Sequence, residues 1–302
     1  MDETITRQLS RYAGSMSRRD MMRGLAMAAA AHATTGIATA QQRFNWAPLV
    51  DHIQINSDDV PRSREFYQKV MGLDLLRVGP ADDAECCPDE SAFFGVGTRL
   101  ILAIRKRPGR NIDHWSLLMN GFDQAAVIAE LERRGSGPAN HDLPGFYAAD
   151  PDNVMMQFMG QPGPAGPTPP PPTAKGSLMT FEWAPLIDHM QINATDVKQS
   201  TEFYQKVLGL DLLRVGPPND RDCCPDESAF FGVGKRLILA VRKAEPEATF
   251  DHYALLMNNF DRETVTKEFK ARGVETKADR SGFHVVDPDG IKVQLMGQPG
   301  PA

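Results

Sequence analysis

Histidine is scarce in this chain, 7 among 302 residues, and four of the seven directly follow an aspartate: His52, His114, His189 and His252. With Gln157 and Gln294 they occupy corresponding points of a repeated pattern. His52, His114 and Gln157 form one set, and His189, His252 and Gln294 form the other. Two neutral imidazoles and one oxygen donor suit a divalent metal that keeps open coordination positions. The bland alternative is a pair of satisfied histidines beside a turn, with a polar residue at a strand end. A carboxamide oxygen can ligate a metal, but it brings no charge, binds divalent ions more weakly than a carboxylate and is a poor general base.

Elements that could gather these residues follow from an internal repeat. FNWAPLVDHIQIN begins at Phe44 and FEWAPLIDHMQIN at Phe181, an offset of 137 residues. From Phe44–Arg105 to Phe181–Arg242 the copies align without a gap and are about three-quarters identical. The offset shifts by one residue around His114 and His252, returns by Gly145 and Gly282, and MGQPGPA closes both copies. Each copy shows one rhythm twice. Alternation over Asp51–Asn56 predicts a strand that puts His52, Gln54 and Asn56 on one face, with His189, Gln191 and Asn193 equivalent in the second copy. Helical spacing follows over Val60–Met71, ended by Gly72, and then strands over Leu73–Val78, Ala92–Val96 and Leu100–Ile104. The rhythm restarts with a strand over Asp113–Met119, a helix over Phe122–Arg134, and strands at Gly145–Ala149 and Val154–Met159. A third closing strand before Gly145 is only weakly marked. Asp150-Pro151-Asp152-Asn153 and Asp287-Pro288-Asp289-Gly290 predict turns before each last strand.

DVPRSREFYQKVMGLDLL, the Asp-His at each half-unit start and DPDGIKVQLMG together resemble the vicinal oxygen chelate superfamily. It includes glyoxalase I, bleomycin-resistance proteins, fosfomycin-resistance transferases and extradiol dioxygenases. The resemblance covers residues 44–160 and 181–298 and implies an α+β fold of tandem domains, each of paired βαβββ modules forming a cleft. It also implies metal ligands at His52, His114 and Gln157, and at His189, His252 and Gln294, for Fe(II), Mn, Zn or Ni. One departure bears on the chemistry: the superfamily's dioxygenases and fosfomycin transferases usually place Glu where this chain twice has Gln. The fourth strand, Leu100–Ile104 or Leu237–Val241, offers no acidic ligand, which disfavours glyoxalase I chemistry. The implied reaction is chelation of vicinal oxygens on a small molecule by a dioxygenase- or glyoxalase-like enzyme. The other reading is a metal-free binding protein of the bleomycin-resistance type. His284, matched by Tyr147 in the first copy, shares no acid–base role with it.

The remaining segments carry other expectations. Paired Arg18 and Arg19, a weakly apolar run over Gly24–Ala40 and the closing Ala38-Thr39-Ala40 make residues 1–40 a signal peptide of the twin-arginine type. That predicts export to the periplasm or beyond. Polar interruptions make the run a poor membrane span. Residues 161–180, QPGPAGPTPPPPTAKGSLMT, read as a proline-rich spacer between domains. A net charge of −6 gives no footprint for nucleic acid. Cys86, Cys87, Cys223 and Cys224 leave disulfides, free thiols and metal binding open, and no motif predicts an oligomeric state. Gly95-Val96-Gly97 predicts a strand turn rather than a nucleotide loop. Trp46 and Trp183 are expected to pack at the domain edge.

Overall fold

A computed structural model of the chain describes residues 44–79, 90–138, 145–163, 181–216 and 227–300. The segment 1–40, most of the proline-rich spacer and all four cysteines lie outside the described residues.

Each copy begins with a long, almost fully buried strand. In the first copy these are β1 (Trp46–Ser57), β2 (Asp74–Gly79), β3 (Ser91–Val96) and β4 (Arg99–Lys106), then β5 (Asn111–Met119), β6 (Gly145–Ala149) and β7 (Met155–Met159). The second copy repeats them as β8 (Trp183–Asn193), β9 (Asp211–Gly216), β10 (Ser228–Val233), β11 (Arg236–Arg242), β12 (Thr249–Met257), β13 (Lys277–Ala278), β14 (Gly282–Val286) and β15 (Lys292–Met296). The third closing strand is thus a two-residue piece, β13, in the second copy, and its first-copy counterpart falls among undescribed residues.

Strand order in the first copy is β2-β3-β4-β1-β5-β7-β6, and in the second β9-β10-β11-β8-β12-β15-β14-β13. The two opening strands of a copy lie side by side, β1 antiparallel to β5 and β8 antiparallel to β12. The predicted α+β architecture of paired modules is therefore what the chain adopts. One backbone pairing, Val50 opposite Ile187, joins the two sheets.

The first helix shows how sequence sets local form. Asp59 accepts a hydrogen bond from the Arg62 amide at 3.1 Å, and Pro61 sits in the opening turn, where no amide hydrogen is needed. After Glu65 the helix widens into a π-type turn over Phe66–Val70, where the predicted helix was regular, and the Met71 amide donates to the Phe66 carbonyl at 3.0 Å. The extra residue in that turn lets both adjacent aromatics, Phe66 and Tyr67, enter the core. Burying each stabilises the fold by about 2–3 kcal/mol. Gly72, at φ +67°, then reverses the chain in a conformation that other residues adopt only with strain. Phe203–Val207 repeats the arrangement.

The copies clasp each other through matched contacts. Trp46 Nε1 donates to the Leu208 carbonyl and Trp183 Nε1 to the Met71 carbonyl, both at 2.8 Å. Arg134 reaches the Val207 carbonyl and Arg272 the Val70 carbonyl, each at 2.7 Å. The predicted turns also cross over. Asp287 accepts from the Tyr67 hydroxyl at 2.7 Å and Asp150 from the Tyr204 hydroxyl at 2.8 Å. Asp289 meets Arg62 and Ser63, and Asp152 meets Thr195 and Ser200. The tryptophans are therefore interface anchors between copies.

Candidate metal centres

Both predicted sets are brought together. His52 on β1 and His114 on β5 have ring centroids 5.7 Å apart, and His189 and His252 are 5.6 Å apart. Gln157 on β7 lies opposite Ser116 in register, one pleat along from His114, so it shares the histidine's face; Gln294 lies likewise opposite Ala254. All six side chains are buried.

Every Asp-His pair sits at an irregularity in strand pairing. Gln54 faces His114 while Ile55 faces Ile112, leaving Asp113 as the extra residue; Asp251 is extra between His252 and Phe250 in the same way. The pairing also shifts across Asp51-His52, between Val50 and Ile53. In a flat strand, consecutive side chains point to opposite faces, but a bulge bends and twists the chain. Each aspartate can therefore reach the ring of its own neighbour. Nδ1 lies 2.7 Å from the carboxylate in Asp51-His52, Asp188-His189 and Asp251-His252, and 2.8 Å in Asp113-His114.

These contacts fix the tautomer. An ionised carboxylate only accepts, so Nδ1 carries the proton and Nε2 is left with its lone pair. Burial opposes ionisation of Asp51, but the His52 hydrogen bond and the Arg99 guanidinium outweigh it and hold the carboxyl below its ordinary value. Asp188, Asp113 and Asp251 are lowered by the same balance, with Arg236, Asn56 and Lys292 respectively among the contributors. Burial pushes the His114 imidazolium down, and that of His252 to about 4, despite their aspartates. Both rings are neutral at pH 7, the form a metal requires.

Four buried atoms point to a guest. His114 Nε2, Gln157 Oε1, His252 Nε2 and Gln294 Oε1 are buried without a hydrogen-bond partner. Orphaned buried acceptors cost about 1–3 kcal/mol each, so a cluster of them calls for an explanation. In the second copy the amide is oriented: Gln294 Nε2 donates to Asp279 at 2.8 Å and Ser281 at 3.0 Å, which leaves Oε1 as the free end. The donor set therefore fits a divalent cation in both copies. It is a neutral set, and among the described residues no cluster of three His, Cys, Asp or Glu side chains could hold a metal ion. As expected from sequence, β4 and β11 contribute no carboxylate.

The rest of each cleft face is apolar and basic. Arg77, Phe93, Ala103, Gln54 and His114 stand in one register row across five strands, with Arg214, Phe230, Ala240, Gln191 and His252 equivalent. Leu76, Phe93, Leu100 and Ala103 form a small apolar cluster separate from the main core, and the Arg77 guanidinium lies 4.2 Å over Phe93. The copies differ at one wall. Tyr147 packs 4.9 Å from His114, whereas His284 packs 5.0 Å from His252, with its Nδ1 3.1 Å from Asp279.

The family model for the Glyoxalase/Bleomycin resistance protein/Dioxygenase superfamily matches residues 49–158 and again 186–295. The chain belongs to that superfamily. No curated relative matches it. Solved structures share the fold at low identity. The Mn(II)-bound glyoxalase from Novosphingobium aromaticivorans is 17% identical with a TM-score of 0.62, over 86% of this chain and 84% of that one. The 2,3-dioxygenase LapB from a Pseudomonas species is 14% identical with a TM-score of 0.64, over 86% and 95%. The 2,2',3-trihydroxybiphenyl 1,2-dioxygenase from Sphingomonas wittichii is 14% identical with a TM-score of 0.64, over 84% and 92%.

Proposed function

We propose that the chain is an exported, metal-dependent enzyme acting on a small molecule with two adjacent oxygens, and that its chemistry is dioxygenase-like rather than that of glyoxalase I. The observation that carries this is the convergence of unpartnered His and Gln acceptors, each ring locked in the ligating tautomer by its own aspartate. His52, His114 and Gln157 would hold one divalent cation, and His189, His252 and Gln294 a second. Such a cation, Fe(II), Mn, Zn or Ni, supplies Lewis acidity and open positions for paired oxygens. The chain's own part is positional. The four aspartates aim the rings, and Asp279 and Ser281 aim the amide. Phe93 or Phe230, with its neighbours, offers an apolar wall against which a ring-bearing substrate can lie. The lack of a carboxylate on β4 and β11 argues against glyoxalase I chemistry, which needs a base beside the metal.

Metal analysis of the purified protein after anaerobic reconstitution tests this reading. The expected result is close to one equivalent per copy, and less than about a tenth of an equivalent of Fe, Mn, Zn or Ni overturns it. The lack of any charged ligand in the donor set is the observation behind a second reading, a metal-free binding protein. Under it, ligand binding survives exhaustive chelation. Export rests on the Arg18-Arg19 pair and the small-residue site at Ala38–Ala40. The expected result is a periplasmic product that begins near Gln41 and accumulates unprocessed when Arg18 and Arg19 are replaced by Lys. Unprocessed wild-type protein in the cytoplasm refutes it.

A further inference from the structure

The closing motif MGQPGPA, identical in both copies, does more than end a strand. After β7 the chain doubles back, and the Gly163 amide donates to Asp51 Oδ2 at 2.9 Å; after β15 the Gly300 amide donates to Asp188 Oδ2 at 3.0 Å. These carboxylates are fully buried and each orients a proposed ligand, His52 or His189. Their other partners are the guanidiniums of Arg99 and Arg236. A buried carboxylate is tolerable only when its acceptor capacity is filled. At Asp51 the histidine, an arginine and one backbone amide serve it; at Asp188 the histidine and the backbone amide share Oδ2, and Arg236 stands beside Oδ1 as an ion pair.

The fit is tight against any side chain. A Cβ at Gly163 would lie 2.7 Å from Leu100 Cδ2, 3.2 Å from Asp51 Oδ2 and 3.3 Å from His52 Nδ1. At Gly300 the distances are 2.8 Å to Leu237 Cδ2, 3.0 Å to Asp188 Oδ2 and 3.1 Å to His189 Nδ1. Every one of these neighbours is a side-chain atom, so an added methyl would push the leucine tip aside, press on the Asp-His couple by a few tenths of an ångström, and leave the fold's backbone alone. Neither glycine has a positive φ. Close approach to the couple is therefore what calls for glycine at both places.

We propose that Gly163 and Gly300 are positioning residues: the QPG segment of each copy is a backbone latch that holds the Asp51-His52 and Asp188-His189 couples in the geometry needed to ligate a metal. The proposal rests on the metal reading above, and it ties the end of each copy to the first strand of the same copy.

The duplication supplies an internal control. Co(II) titration of the metal-free chain, followed by electronic absorption, should show two sites in the wild type. Gly300→Ala should weaken one of them by about 10–100-fold, the range for loss of a group that orients a ligand, and leave the other within twofold. Gly163→Ala should weaken the other site instead. Removing residues 299–302 takes away the donor without adding an atom and should reproduce the Gly300→Ala loss. It also decides the matter should that variant fold poorly, as judged by its metal-free melting temperature. In an Asp188→Asn background, Gly300→Ala should add less than a twofold loss, because the latch acts through that carboxylate. Unchanged Co(II) affinity in Gly300→Ala and the shortened chain, or equal loss at both sites, overturns the proposal. A separate arm needs no metal. In histidine ¹⁵N–¹H spectra of the metal-free protein, the His189 Nδ1–H signal should be protected from exchange in the wild type and lost by exchange in Gly300→Ala. If the wild type takes up no Co(II), the metal reading falls and this arm alone decides the latch: protection that persists in the variant refutes it.

Discussion

Replacing Asp287 by Asn should remove a pH-dependent penalty from the joint between the copies. Asp287 is buried at the crossing of the second copy's turn with the first copy's helix, and burial pushes its carboxyl from 3.8 up to about 6, although Tyr67 donates a hydrogen bond to it. A folded value above the unfolded one means that the native state prefers the protonated acid. The associated stability is fully present below pH 3.8 and is lost as pH rises through about 6. A shift of about two units corresponds to ~3 kcal/mol. Asparagine preserves the shape and the contacts: its oxygen can still accept from the Asp289 and Ile291 amides, at 2.9 and 2.8 Å, while its NH₂ faces the Tyr67 oxygen. Tyr67 can then turn its proton toward Tyr253, reversing the 3.1 Å hydrogen bond that the Tyr253 hydroxyl donates in the wild type. The wild-type profile alone would not reveal this. The neutral rings of His114 and His252, pushed down by burial, gain stability as pH rises toward the ordinary histidine value and so run the opposite way. The difference between variant and wild type isolates Asp287. Urea unfolding of both metal-free proteins from pH 4 to pH 8 should show that difference moving by about 2–2.5 kcal/mol in the variant's favour, most of the full shift. A difference that stays flat, or that moves toward the wild type, refutes the reasoning.

Four further outcomes are expected. His52→Ala and His252→Ala should each lower bound metal by about one equivalent, measured after reconstitution, while the intact copy keeps its own. Gln294→Glu sets a carboxylate against Asp279, 2.8 Å from the present amide nitrogen; metal-free stability should fall by about 1–3 kcal/mol, and adding Asp279→Asn should restore it. Trp46→Phe leaves the Leu208 carbonyl without its indole donor and should cost about 1–2 kcal/mol in urea unfolding. Gly95→Ala would place a Cβ 2.0 Å from the Arg99 carbonyl oxygen, in backbone that cannot yield, and should cost ~3 kcal/mol or more.

The fold was largely legible because it is written in local periods. Alternation found the opening strands, and Gly72 marked the helix end. The repeat at Phe44 and Phe181 showed that every element occurs in duplicate. The site trios were legible from their matching places in that repeat, and the structure brings them together. What the residues did not disclose is non-local or depends on a broken period. Strict alternation sends Asp51 and His52 to opposite faces, and only the bulge lets the carboxylate reach its neighbour's ring. The clasp of Asp287 on Tyr67 spans 220 positions, and the return of Gly163 to Asp51 spans 112; no pattern within a helix or strand encodes either. A signal for the latch was present in the exact recurrence of MGQPGPA, but recurrence does not name a partner.

The reciprocal clasp has a bearing on how the molecule comes apart. The turn of each copy fills the hydrogen-bonding needs of the other copy's helix, and each tryptophan caps a carbonyl on the opposite side. If one copy melted alone, its partner would lose these hydrogen bonds and expose to water the apolar surface now covered, the buried tryptophan and tyrosine rings included. The half-unfolded intermediate is therefore disfavoured from both sides. Heat should carry the two copies through a single calorimetric transition, with the van't Hoff enthalpy matching that of the whole unit and not of one half.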